Sequence, residues 1–198
     1  MTDALVESLR RKQRESAEVT ATLIERDGAR LVRCARAMAS AFDEGARLFV
    51  MGNGGSACDA AHLVVEMTHP IVEKRAPLPA IHLGSDPALL SAVGNDRDFS
   101  LAFTEQLELL GRAGDIALGI TTSGKSRNVT RALRRAKERS MITVAFTGRD
   151  GGGLGELADH CFVAPSFSTH RIQEAHGLLL HLLWDTVHLV RGEEDVLG

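Results

Sequence analysis

Two pairs of residues have types and spacing that could move protons or hold a metal ion. His62 and Glu66 stand four apart in a stretch with helical patterning, so they share one face of a helix. Asp59 lies on or near that face. Near the end of the chain Gln173 and His181 share a face of another helical stretch, with Gly177 between them. His, Glu, Gln and His can together hold a divalent metal, and His and Glu can serve as general acid and base. Taken alone, His62 also reads as a hydrogen-bonded, half-buried side chain and Glu66 as a solvated one. His176 and His188 read as histidines of this structural kind.

Two loops are suited to an anion. Gly52-Asn53-Gly54-Gly55-Ser56 offers backbone N–H groups that no bulky side chain shields, beside a helix start. That geometry favours phosphate. Thr121-Thr122-Ser123-Gly124-Lys125-Ser126 supplies hydroxyls and a glycine before another helix start, with Lys125 able to add charge. Either loop alone also reads as an ordinary turn with a Ser or Thr cap. Together, at one end of one sheet, they favour a phosphate site. Gly52-x-Gly54-x-x-Ala57 also fits a loose dinucleotide fingerprint, but the acidic residue expected near the end of the second strand is missing, and Asp86 comes too late. There is no Walker A pattern. Cys58 would sit near a helix N-terminus, yet nothing singles out a base for it, and it reads as structural. The basic stretch with Arg127, Arg131, Arg134, Arg135, Lys137 and Arg139 reads as a solvated helix face.

The elements that must position these residues follow from hydrophobic rhythm. Short apolar runs at 48–51, 80–83, 116–120, 141–146 and 161–163 read as strands, most of them ending in a glycine-rich or hydroxyl-rich turn. Helical patterns cover 57–68, a stretch ending near Val93, 99–110, 127–139 and 170–191. Two further helices, at 3–26 and 28–44, precede the first strand. Strands alternating with helices imply a parallel sheet covered on both faces. One α/β domain with a helical N-terminal extension is expected. The extension is too polar for a core of its own and is expected to pack on a partner subunit.

Composition narrows the classes. The chain has 198 residues, 44% hydrophobic and 25% charged, as in ordinary globular domains. Aromatic residues make up 4%, with no tyrosine, which leaves little for stacking on single-stranded nucleic acid. The net charge of −3 gives no global basic field. Residues 1–15 lack the apolar core of a signal peptide, and no apolar run is long enough to span a bilayer. Cys34, Cys58 and Cys161 are odd in number and widely separated, which suits a reducing cytoplasm.

Gly52-Asn53-Gly54-Gly55-Ser56, His62-x-x-x-Glu66, Asn95-Asp96, Thr121 to Ser126, Thr147-Gly148-x-Asp150-Gly151-Gly152 and Arg171-Ile172-Gln173-Glu174-x-His176 together resemble the sugar isomerase (SIS) domain. Within it they are most similar to the phosphoheptose isomerase family, which converts sedoheptulose 7-phosphate to D-glycero-D-manno-heptose 7-phosphate. The resemblance covers nearly the whole chain. It implies a single doubly wound SIS domain over 1–198 with a five-stranded parallel sheet, its helical residues 1–45 packing on partner subunits. It implies a cytoplasmic homotetramer with active sites at subunit interfaces, neither nucleic acid nor membrane being a partner. Ser56, Thr121, Ser123 and Ser126 would hold the substrate phosphate, with Asn53, Gly54, Gly55, Asn95, Asp96, Thr122 and Gln173 also lining the substrate site. Glu66 and His181 would be the acid/base pair. His62, Glu66, Gln173 and His181 match the residues with which some members bind zinc, one ion per subunit. Heptose made this way feeds cell-envelope polysaccharide or glycan precursors.

Several positions depart from the family pattern. Thr121 replaces a usual serine and keeps the hydroxyl. Lys125 stands where asparagine is usual, His69-Pro70 where Gly-Arg is common, and His170 where aspartate is common. These departures motivate the alternative of an isomerase for another ketose phosphate. A second alternative is a non-catalytic relative that binds the replication initiator. Those proteins lack the matched glutamate and final histidine, and this chain keeps both.

Overall fold

A computed structural model describes residues 2–71 and 75–195. In chain order the elements are α1 (Thr2–Asp43), β1 (Leu48–Gly52), α2 (Gly55–Thr68), β2 (Ala80–His82), α3 (Pro87–Asp96), a 3-10 turn (Phe99–Leu101), α4 (Thr104–Leu110), β3 (Ile116–Thr121), α5 (Arg127–Glu138), β4 (Ile142–Gly148), α6 (Leu154–Leu157), β5 (His160–Ala164) and α7 (Thr169–Val190). All five expected strands are present. They form one parallel sheet in the order β2-β1-β3-β4-β5. The sheet is therefore the doubly wound, helix-flanked one expected.

Every residue of β1 and β3 is buried, as a parallel sheet covered on both faces requires. Side chains alternate between two cores. Leu48, Val50, Leu118, Ile120 and Phe146 pack with α1, α2 and α7 on one face. Phe49, Met51, Ala117 and Ala145 pack with α4, α5 and α6 on the other. At Gly119 a Cβ would fall 2.6 Å from Val129 and 2.9 Å from Leu133, so the missing side chain lets α5 lie close against β3. The chain leaves β1 for one side of the sheet and returns through β3 on the other. That reversal opens a crevice beyond the carboxyl ends of β1 and β3, the place where such sheets bind ligands.

The N-terminus differs from expectation. One 42-residue helix replaces the two expected at 3–26 and 28–44. Gly28 inside it costs roughly 1 kcal/mol relative to alanine, which tertiary packing outweighs. Leu23, Leu31, Cys34, Ala35, Met38 and Phe42 are buried in this chain's own core, mainly against α7. Asp27 is buried and accepts from Arg26 Nη2 at 2.7 Å, while Arg26 and Arg30 reach the carbonyls of Val163 and Cys161 in β5. Polar residues that argued against a core thus tie α1 to the sheet edge. The first half of α1 remains exposed, Leu5 and Leu9 included. Residues 99–110, expected as one helix, are a 3-10 turn capped by Asp98 and then α4. The four-residue α6 is too short to leave a periodic signal.

A buried cation pins α7. The Arg75 side chain is 1% exposed and donates from Nη2 to Asp185 Oδ1 at 2.7 Å and to the Glu194 carbonyl at 2.8 Å. Its guanidinium lies 4.5 Å from the Trp184 ring centroid. Asp185→Ala leaves this buried charge without its carboxylate, and breaking such a pair costs about 3 kcal/mol or more. Urea unfolding of the variant is expected to show that loss. A loss below about 1 kcal/mol would mean that the Glu194 carbonyl and Trp184 suffice to hold the cation.

Candidate active site

The glycine turn after β1 is shaped by backbone contact. A Cβ on Gly52 would fall 2.3 Å from the Ser56 carbonyl oxygen, and Gly54 adopts φ +56° at the cap of α2. Ser56 is buried behind this turn. After β3, Gly124 has φ +66°, and a Cβ there would fall 2.3 Å from the Gly151 carbonyl, so this loop interlocks with the turn after β4. Thr121 Oγ1 and Ser126 Oγ share a hydrogen bond of 2.9 Å across the loop, and Lys125 N donates to Ser123 Oγ at 3.2 Å. Lys125 Nζ turns to Asp150 at 3.4 Å and helps hold that carboxyl below the usual carboxylate range.

Neither α2 nor α5 has a side-chain cap, although Gly54 and Ser126 occupy their cap positions. The ordinary N-cap reading of the loops therefore fails. Two helices open into the crevice with no side-chain bond from their cap residues, an arrangement that attracts an anion, although in α5 the Val129 N–H is already taken by Asn128 Oδ1 at 3.0 Å. Asn53 and Asn128 join the two sides. Asn53 Nδ2 donates to Asn128 Oδ1 at 2.9 Å, and Asn128 Nδ2 donates back to Asn53 Oδ1 at 2.8 Å. Asn128 is buried and was not singled out from sequence, because its role appears only when two loops 75 residues apart meet.

The proton-transfer candidates converge beside this cradle. On α2, His62 Nε2 lies 3.2 Å from Glu66 Oε1. On α7, the His181 ring stands edge-on to that of His62, centroids 4.8 Å apart. One ligand atom from each of His62, Glu66 and His181 lies within 4.8 Å of the others. Two imidazoles and a carboxylate at this spacing fit a zinc-type donor set. Gln173, two turns earlier on α7, leans on the glycine turn: a Cβ on Gly55 would fall 1.9 Å from its Nε2. So α7 brings Gln173 to the cradle and His181 to the α2 pair. Asp59 is also on α2, with a buried Oδ2 that has no partner among the described residues; burial pushes its carboxyl up and His62 pulls it back.

Asn95 and Asp96 lie on α3 rather than on α2 or α7. They occupy the exposed last turn of α3, where Asn95 Nδ2 donates to Asp96 Oδ1 at 2.8 Å. Among the described residues no side-chain hydrogen bond ties them to either loop. Asp86, the late acidic residue of the dinucleotide fingerprint, caps α3 by accepting from the N–H groups of Ala88 and Leu89. Cys58 is exposed. His188 is buried beside Glu193, with Nδ1 3.0 Å from Oε1.

His176 is structural. It is fully buried, and Nε2 donates to the Thr147 carbonyl at 3.1 Å. Burial lowers its pKa from 6.5 to about 4, against the opposing effect of that hydrogen bond. Between these values the unfolded chain takes up a proton that the folded chain refuses, so stability falls as pH drops from 6.5 towards about 4. Melting temperatures measured from neutral pH down to about pH 5 should fall less steeply for His176→Gln than for the wild type. Equal slopes would contradict this.

The sequence pattern of the SIS domain matches residues 13–148. Phosphoheptose isomerase of Aquifex aeolicus (strain VF5) is 43% identical over 183 residues, covering 92% of this chain and 96% of that one. Phosphoheptose isomerase of Pelobacter propionicus is 44% identical over 176 residues, with coverages of 88% and 93%. Among solved structures, a phosphoheptose isomerase from Neisseria gonorrhoeae superposes with a TM-score of 0.86 at 37% identity, over 92% of this chain and 98% of that one. One from Francisella tularensis gives 0.88 at 33% identity, over 93% and 98%. On fold, coverage and identity together, the chain belongs to the SIS-domain family, in its phosphoheptose isomerase branch.

Proposed function

We propose that the chain isomerises sedoheptulose 7-phosphate to D-glycero-D-manno-heptose 7-phosphate by proton transfer through an enediol. The observation that carries this reading is the meeting of His62, Glu66 and His181 beside two uncapped helix starts. The phosphate sits among Ser56, Thr121, Ser123 and Ser126, with the backbone N–H groups of 53–55 and Thr122 around it. Binding this remote end fixes where the reacting carbons lie. Asn53 holds the two loops at their spacing, and Gln173 orients the sugar hydroxyls next to Gly55.

Glu66 takes the proton from the carbon bearing the hydroxyl and returns it to the neighbouring carbon. His181 gives a proton to the carbonyl oxygen and recovers one from the other oxygen. Atoms balance, because the aldose and ketose differ only in the placement of these two protons. Zinc held by His62, Glu66, Gln173 and His181 would supply Lewis-acid polarisation of the carbonyl. A carboxylate has two oxygens, so Glu66 can serve both the ion and the proton. Asn95 and Asp96, exposed at the end of α3, would line the sugar in a site completed by a neighbouring subunit of a cytoplasmic homotetramer. The exposed apolar residues in the first half of α1 fit the same assembly.

Glu66→Gln should lower kcat by about 10²–10⁴-fold, while sedimenting as four chains like the wild type. Retained turnover would remove Glu66 as the base, and sedimentation as a single chain would remove the tetramer. Chelation should abolish wild-type turnover on sedoheptulose 7-phosphate, and added zinc should restore it. Turnover indifferent to chelation would leave Glu66 and His181 acting without a metal.

A further inference from the structure

Helix α5 carries more positive charge than the isomerase chemistry uses. Arg127, Arg131 and Arg134 recur at i, i+4 and i+7, so they share one face. With Lys125 from the preceding loop they line a cleft of about 480 Å³, and Ser100 and Thr130 supply hydroxyls to it. Among the described residues no carboxylate lines this cleft, although Lys125 Nζ reaches Asp150 at 3.4 Å and the far sides of Arg131 and Arg134 border a hollow that holds Glu105, Glu108 and Glu138. Arg135, one position further on, is by contrast held by Glu108 at 2.8 Å and Glu138 at 3.1 Å. Among the described residues Arg127 and Arg134 form no ion pair. Asp98 feels both Arg127 and Arg131, but its carboxylate is turned to the Ser100 N–H at 2.8 Å. Arg131 is oriented in advance, its Nη1 donating to the buried Ser100 Oγ at 3.0 Å.

We propose that this cleft is a second anion site, separate from the substrate cradle, that takes a diphosphate or longer phosphate chain. The guanidinium forks pair naturally with phosphate oxygens. Seven residues of helix span about 10 Å along the axis, more than one phosphate group covers and suited to two or more in a row. Among the described residues no aromatic side chain lines the cleft, so a nucleobase would gain no stacking platform there. The ligand is therefore recognised through its phosphates, whether it is an inorganic chain or the tail of a nucleoside diphosphate. Lys125 belongs both to this cleft and to the loop carrying Ser123 and Ser126, so the two anion sites share one loop.

Calorimetric titration of the full chain with inorganic pyrophosphate tests this, with inorganic phosphate and UDP as comparators. Pyrophosphate should bind at least tenfold more tightly than phosphate, and more weakly as NaCl is raised. Arg131→Gln with Arg134→Gln should weaken pyrophosphate at least tenfold while the chain still unfolds in one cooperative transition, and the matching lysine pair should restore most of the binding. UDP binding as tightly as pyrophosphate would identify a nucleoside diphosphate as the source, and weaker UDP binding an inorganic chain; either supports the site. Pyrophosphate binding that survives the arginine substitutions and is lost in Ser56→Ala with Ser126→Ala would place the anion in the substrate cradle and overturn the proposal. So would a DNA duplex that binds where pyrophosphate does not. Because the readout is binding rather than turnover, the outcome is independent of the isomerase reading.

Discussion

The paired amides of Asn53 and Asn128 fix the distance on which the rest of the site depends. β1 and β3 are neighbours in the sheet, yet the helices that follow them go to opposite faces. Their loops must therefore part at the crevice, and nothing in the sheet ladder sets how far. The amide pair spans that gap with both donors and both acceptors satisfied. Losing one partner would strand a buried amide, a cost of about 1–3 kcal/mol. The glycine contacts on either side do the same with backbone, Gly52 against Ser56 and Gly124 against Gly151. A cradle built this way needs little rearrangement when an anion arrives, which is how remote binding can position a reacting end.

The second constraint is the packing of α7 across the start of α2. It sets Gln173 over Gly55 and His181 against His62. A side chain at Gly55 would displace Gln173, so the turn must be bare there for two reasons: access to its N–H groups and room for an amide from another helix. Arg75, buried under Trp184 and Asp185, secures the stretch of α7 that carries His181. The His62, Glu66 and His181 cluster is thus held by elements that also build the core, while both imidazoles stay exposed to solvent.

Much of this was legible from local pattern. Five apolar runs gave five strands, because fully buried parallel strands leave continuous hydrophobic segments. His62 and Glu66 were readable because helical spacing alone puts them on one face. What was hidden depends on distance in sequence. Asn128 looks like any polar residue at a helix start, and only the fold reveals Asn53 opposite it. Asp27 and Gly28 looked like a break between two helices, since nothing local shows that Asp27 is buried between Arg26 and Arg30 against β5. Asn95 and Asp96 carry a family motif, yet among the described residues no side-chain hydrogen bond ties them to either loop. The basic face of α5 read as solvated, and its convergence with Lys125 on one cleft is a tertiary fact.

If Glu66 is the base, a carbon-bound proton passes through its carboxylate. The most direct test is turnover of sedoheptulose 7-phosphate in D₂O, with NMR analysis of the carbon next to the carbonyl in the product. The Glu66 side chain is 18% exposed, so a proton it holds can exchange with solvent between abstraction and return. Deuterium at that carbon in wild-type product is the predicted result. Product formed over many turnovers with no deuterium there would mean that hydrogen moves directly between the carbons, and would contradict the enediol route and the role given to Glu66.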